Sequence, residues 1–198
     1  RQVELATIDS IVDGIHRSRA LGVLQHTVAG KANVAELLGK ALMDPDVSVR
    51  GAVATGLGRV GGDRALVWLG QALADSDGEV RRHAASALVS MKNGKAFAVI
   101  VEALGNPHPD VRCSAAQALG AVGGDKVLAP LKKAAADADA KVRSAALATL
   151  ALVTQGREVG VNPLGKDGSE TAFELFEKAM ADSDARVRSR AISGVERE

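Results

Sequence analysis

Apolar residues recur along this chain with the period of a helix, and the helical stretches themselves recur. Val49, Val53, Leu57 and Val60 fall within about 80° of one another when each residue turns a helix by about 100°, so they form one stripe. The stripe is rewritten by Val80, Ala84, Leu88 and Met91, by Val111, Ala115, Leu119 and Val122, and by Val142, Ala146, Leu150 and Val153. Its leading valines, Val49, Val80, Val111 and Val142, are 31 residues apart. A fifth copy, Val187-Arg188, lies 45 residues beyond Val142, so a short loop has been inserted before it. One step upstream of Arg50 lands on Arg19, within IVDGIHRSRALGVLQHTVAG, where Ser18 replaces Val and His26 replaces Leu. That copy reads as a degenerate N-terminal capping repeat.

A second apolar segment precedes each stripe: NVAELLGKAL, RALVWLGQAL, KAFAVIVEAL, KVLAPLKKAA and TAFELFEKAM. Leu38, Leu69, Ile100, Leu131 and Phe176 share one column of it. Each unit is therefore predicted to be a helix pair, A then B. Pro130 is tolerable only in a first turn, so the helix A that holds it is expected to start late. Gly-Gly-Asp at Gly61–Asp63 and Gly123–Asp125 is expected to end helix B with a left-handed glycine and to cap the next helix A with Asp. Ser76–Glu79, SDGE, matches a capping box opening helix B. A hairpin this thin cannot bury both faces alone, and stacking the copies side by side solves the problem.

The recurring pattern D-x-D-x-x-V-R-x-x-A-x-x-A-L-G-x-x-G-G-D resembles HEAT-like repeats of the short kind found in phycobilisome lyase subunits. Asp110–Asp125, DVRCSAAQALGAVGGD, is close to it, while the first copy departs with Val53 and Gly56. The resemblance covers roughly Val34 to Val195. It implies an all-α fold, a right-handed α-solenoid of about five to six stacked two-helix repeats whose inner helices line a concave binding surface. The expected organisation is a single domain over 1–198: a capping repeat at 1–32, regular repeats at 33–155, an inserted loop at 156–170 and a C-terminal repeat at 171–198.

Composition narrows the function. With 46% hydrophobic and 2% aromatic residues, the core must be built from Ala, Leu, Val and Ile. Lys and Arg number 25 against 24 Asp and Glu, and a net charge of +1 gives no general attraction to nucleic acid or anionic membranes. Cys113 is the one cysteine, which excludes an internal disulfide and fits a reducing, cytoplasmic setting. No apolar run is long enough to insert into a membrane, and no signal-peptide pattern opens the chain. A start at Arg1 suggests a piece of a longer parent, whose other domains are then candidate partners.

The Arg after each Val, at Arg50, Arg81, Arg112, Arg143 and Arg188, has two readings. One is an anion track along a groove. The favoured one is a structural ladder, because aspartates recur beside each Arg (Asp44, Asp75, Asp137 and Asp182, each followed two residues later by another Asp) and a guanidinium fork can bond carboxylates and turn carbonyls of the adjacent repeat. Asn106 and His108 leave one rung less charged, with Asp110 as the candidate compensation.

The B-helix face opposite the stripe follows no strict pattern. Arg59, Arg82, His83, Ser86, Val89, Gln117, Ser144, Ala148 and Leu152 are its candidate partner-binding residues, with Gly51, Thr55, Gly58, Cys113, Gly120 and Ala151 among them as further lining. Small and weakly charged, this face suits a protein or peptide better than a polyphosphate. The inserted loop is a second candidate.

Catalytic signatures are missing from the sequence. His16, His26, His83 and His108 have no metal-ligand spacing, and neither a P-loop nor a nucleophile elbow occurs. The His-Glu pairs carried at repeated positions by the di-iron deoxyhypusine hydroxylases, which are also HEAT-like, have no counterpart. No catalytic residue, metal or cofactor is expected. The reading is a non-enzymatic scaffold for protein-protein interaction. The alternatives are a subunit resembling the bilin lyases that act on phycobiliproteins, or a HEAT-like nucleic-acid-binding module, disfavoured by the lack of a basic, aromatic groove.

Overall fold

The structure, a computed structural model, describes residues 31–155 and 164–195. Among these residues there are ten α-helices and no strand. They are α1 (Lys31–Lys40), α2 (Val47–Val60), α3 (Gly62–Ala72), α4 (Gly78–Ser90), α5 (Gly94–Ala103), α6 (Pro109–Val122), α7 (Leu128–Ala134), α8 (Ala140–Gln155), α9 (Lys166–Ala179) and α10 (Ala185–Val195). Odd-numbered helices are the A helices of the sequence and even-numbered ones the B helices. The capping repeat expected around Arg19 lies outside the described residues.

Four of the five described B helices open the same way, whereas α6 starts with Pro109 after His108, which makes no side-chain cap. The carboxylates of Asp46, Asp77, Asp139 and Asp184 accept the backbone N–H two residues on, at Ser48, Glu79, Lys141 and Arg186, over 2.7–2.8 Å. This caps a helix start whose first N–H groups have no intrahelical acceptor. In SDGE the cap is thus Asp77; Ser76, where the capping-box pattern put it, instead offers its carbonyl to Arg81. The aspartate two residues earlier in each turn closes a local loop: Asp44, Asp75, Asp137 and Asp182 each accept the N–H of the capping Asp over 2.8–2.9 Å. Asn106 does the same for His108 with its amide oxygen.

The Gly-Gly-Asp turns differ from expectation. Gly61 and Gly123 have φ of 68° and 64° with ψ of −168° and −178°, an extended backbone of positive φ that is essentially glycine-only rather than left-handed helical. Asp63 stands inside the first turn of α3, after the cap at Gly61, and pairs with Lys95. Asp125 opens a 3-10 turn, Asp125–Val127, which delays α7 to Leu128. Pro130 consequently sits in the first turn, where a missing N–H costs no helical bond.

The chain divides into two compact units, with the division between Ala96 and Phe97 inside α5. In the first, α1 packs on α2 and α3, α3 on α4, and the B helices α2 and α4 lie against each other. Val49, Val53, Leu57, Leu69, Val80 and Leu88 fill its core, and the Trp68 indole lies against Gly39, whose missing side chain makes room for the ring. In the second, the B helices α6, α8 and α10 pack in series, with α7 and α9 against them. Its core holds Val111, Leu119, Leu131, Val142, Leu150, Phe176 and Val187.

Helix α9 begins at Lys166, so the inserted segment is shorter than 156–170: residues 166–170 are already helical. The anchor is Asp125, whose carboxylate accepts the N–H of Gly165 at 2.9 Å, just ahead of a helix N-terminus. Gly168 is buried there because a side chain would strike Asp125 and Leu128. Residues 156–163 of that segment lie outside the described residues.

Candidate functional site

Two sets of side chains on the B helices were singled out, and they do different things. The first is the recurrent Arg. Arg50 donates from Nε and Nη2 to both carboxylate oxygens of Asp75, at 2.8 and 3.0 Å, and from Nη1 to the Asp44 and Pro45 carbonyls. Arg112 grips Asp137 by the same two nitrogens at 2.8 and 2.7 Å, with Nη1 on the Asn106 and Pro107 carbonyls. Arg143 grips Asp182 in the same way, with Nη1 on the Asp137 and Ala138 carbonyls. One guanidinium therefore ties its own turn to the turn of the next helix pair. Arg81 bonds the Asp75 and Ser76 carbonyls, and Arg188 the Asp182 and Ser183 carbonyls. Asp110 pairs with Lys141 at 3.7 Å.

The carboxylates respond electrostatically. The hydrogen bond from Arg112 holds Asp137 below the usual carboxylate range against the opposing effect of burial, and Arg143 does the same for Asp182. At Asp75 burial is the largest influence and pushes upward, but the Arg50 bond and the Asp77 N–H outweigh it and the net shift is downward. These side chains are 11–15% exposed, so the pairs are too shielded to be ordinary surface bridges.

The second set is the face proposed for a partner. In the first unit Arg59, Arg82 and Ser86 are exposed, and His83 and Val89 half-buried. Arg82 bonds Glu79 at 2.6 Å. Thr55 donates its hydroxyl to the Gly51 carbonyl, so its contact with His83 Nδ1 at 3.1 Å calls for a proton on that nitrogen. In the second unit Gln117 and Leu152 are exposed, and Cys113, Ser144 and Ala148 half-buried.

The glycines and Ala151 do not join that lining. Gly51 is buried beneath the His83 ring. A Cβ on Gly58 would stand 2.7 Å from the Ala87 Cβ, and one on Gly120 would stand 3.1 Å from Thr149 Cγ2. Ala151 is 8% exposed. The small residues let neighbouring B helices approach each other, an internal use that the sequence pattern did not separate from the open face. No group of three or more His, Cys, Asp or Glu side chains among the described residues is placed to hold a metal ion. None of the described helices is long and apolar enough to cross a membrane.

Antiparallel helix pairs repeated in sequence, with B helix on B helix and a shared Arg–Asp tie, define an α-helical repeat protein. Residues 66–151 match the family model of HEAT repeats, and that stretch of the chain is a run of HEAT repeats. No curated protein sequence matches it significantly. Among solved structures it is similar to crescerin, described as using a TOG domain array to regulate microtubules in the primary cilium. There the TM-score is 0.62 at 16% identity, over 98% of this chain and 89% of that one. It is also similar to human deoxyhypusine hydroxylase, with a TM-score of 0.53 at 24% identity over 83% of this chain. The chain spans 62% of the length of that hydroxylase. Both likenesses concern the fold. The phycocyanin lyase complex of CpcE and CpcF from Nostoc sp. PCC7120 matches at a TM-score of 0.47 and 22% identity, over 96% of this chain and 74% of that one.

Proposed function

We propose that the protein is a non-enzymatic scaffold that binds a protein or peptide through the open faces of its B helices. The observation that carries this reading is a division of labour among B-helix positions. Stacking and ladder positions repeat because each has an internal task. Ser86 and Gln117, by contrast, hold one exposed position 31 residues apart with different residues. A position freed from internal packing is free to be shaped by a ligand. In the first unit the face carries the exposed Glu79–Arg82 pair beside Ser86; in the second it carries the Asp110–Lys141 pair, the Gln117 amide and one exposed apolar residue, Leu152. Each face offers hydrogen bonds to a peptide backbone, and that of the second unit also an apolar contact for one side chain, without the run of unpaired cations that a phosphate backbone requires.

The test is a pull-down comparing two panels of variants of equal helicity. Arg82→Glu, Gln117→Arg and Ser144→Arg alter the B-helix face; Val67→Arg and Lys132→Glu alter exposed positions on A helices. The first panel is expected to lose partners that the second keeps. Partners retained equally by both panels would remove the assignment.

A further inference from the structure

We propose that Arg82 and His83 form a subsite for a carboxamide, the side chain of an Asn or Gln on the bound protein or peptide. This subsite presupposes that the B-helix face is a binding surface, and it names one chemistry within the first unit. A chain of committed hydrogen bonds sets it up. Thr55 spends its hydroxyl proton on the Gly51 carbonyl at 3.1 Å, so its oxygen accepts from His83 Nδ1, also at 3.1 Å. With that proton on Nδ1, the neutral ring offers Nε2 as an acceptor. Gly51 makes room for the ring, since a Cβ there would stand 3.0 Å from Cδ2 and 3.5 Å from Nε2.

Arg82 supplies the donor. Glu79 Oε2 accepts from its Nε at 3.0 Å and from its Nη2 at 2.6 Å, which holds the guanidinium over the first turn of α4. Nη2 keeps a second N–H and lies 3.5 Å from His83 Nε2, at the outer limit of a hydrogen bond. A donor and an acceptor thus stand side by side, and among the described residues no closer donor engages Nε2. A primary carboxamide fits such a pair: its NH2 donates while its carbonyl accepts, as Asn and Gln do on the N7 and N6 of adenine. A carboxylate would set a lone pair against Nε2, and an ammonium would meet the charge of Arg82 with nothing to accept its N–H. The pair belongs to one repeat. One period before, the two positions hold Gly51 and Ala52, and one period after, Cys113 and Ser114.

A random heptapeptide library displayed on phage is panned on the full chain, and the enriched peptides are titrated and followed by anisotropy. They are expected to share an Asn or Gln. Changing it to Asp or Glu should weaken binding about tenfold, as should His83→Phe in the chain, which fills the ring's space without an acceptor. His83→Phe should also abolish the preference for amide over carboxylate, while Gln117→Arg, on the second unit, should leave that preference intact. Imidazole nitrogen shifts of the isotope-labelled chain, assigned by their loss in His83→Phe, read the tautomer with no ligand present. The proton is expected on Nδ1; Thr55→Val removes its acceptor and should move it toward Nε2, with a smaller amide preference. That variant keeps the test readable if His83→Phe loses helicity. A proton on Nε2 in the unaltered chain overturns the subsite whether or not peptides bind. Peptides that lose affinity with Arg82→Glu but share an acidic residue, a basic residue or none overturn the subsite and leave the binding face standing. A library that yields no binder overturns both.

Discussion

Lys92 occupies the place that Gly61 and Gly123 hold one repeat earlier and one repeat later, and it takes a φ of 48°. In that left-handed region a Cβ crowds the following carbonyl, at a cost of about 1–2 kcal/mol for an L residue. Glycine removes the crowding but adds freedom to the unfolded chain, which returns part of the gain. Lys92→Gly is expected to raise stability by about 0.5–1 kcal/mol, read as a higher urea midpoint at unchanged slope. The sequence displays the Lys among glycines; that the turn keeps its positive φ regardless is known only from the backbone.

At the scale of the element, the unit of cohesion is a tie between turns. Arg112→Ala removes a two-pronged bond to Asp137 and two bonds to carbonyls, and leaves a shielded carboxylate without its partner. The expected loss is about 2–3 kcal/mol, visible as a lower thermal midpoint by circular dichroism. Arg112→Lys should recover little of it, because an ammonium cannot span both oxygens and both carbonyls. Arg82→Ala, on the exposed pair with Glu79, should barely move the midpoint.

For the whole molecule the ladder sets a pH dependence. Asp75, Asp137 and Asp182 all titrate below their ordinary value of 3.8 when folded, and Asp184 falls to about 2 through its bonds with the Arg186 side chain and N–H. A carboxyl whose folded pKa is depressed binds its proton more readily when unfolded, so it contributes stability above the unfolded value and loses it as pH falls. Thermal midpoints are therefore expected to be flat above about pH 5 and to drop between about pH 4 and pH 2. Asp137→Asn should lower the midpoint at neutral pH and flatten the drop.

The sequence alone determined the helices, their pairing and their 31-residue period, because the 3.6-residue spacing of Val, Ala and Leu is a local property that each segment carries by itself. It also displayed the ingredients of the ladder, Val-Arg and Asp-x-Asp, at fixed separations. Tertiary structure decided their assignment. In the turns led by Asp75, Asp137 and Asp182 that Asp takes the Arg of the preceding repeat and the Asp two residues on caps a helix, since only stacking brings the first within reach of a guanidinium. Stacking likewise placed Gly51, Gly58 and Gly120 between helices and left Gln117 outside, a distinction of direction around one helix that composition cannot express. It also drew residues 166–170 into α9, because the N–H that precedes that helix finds its acceptor 40 residues away, on Asp125.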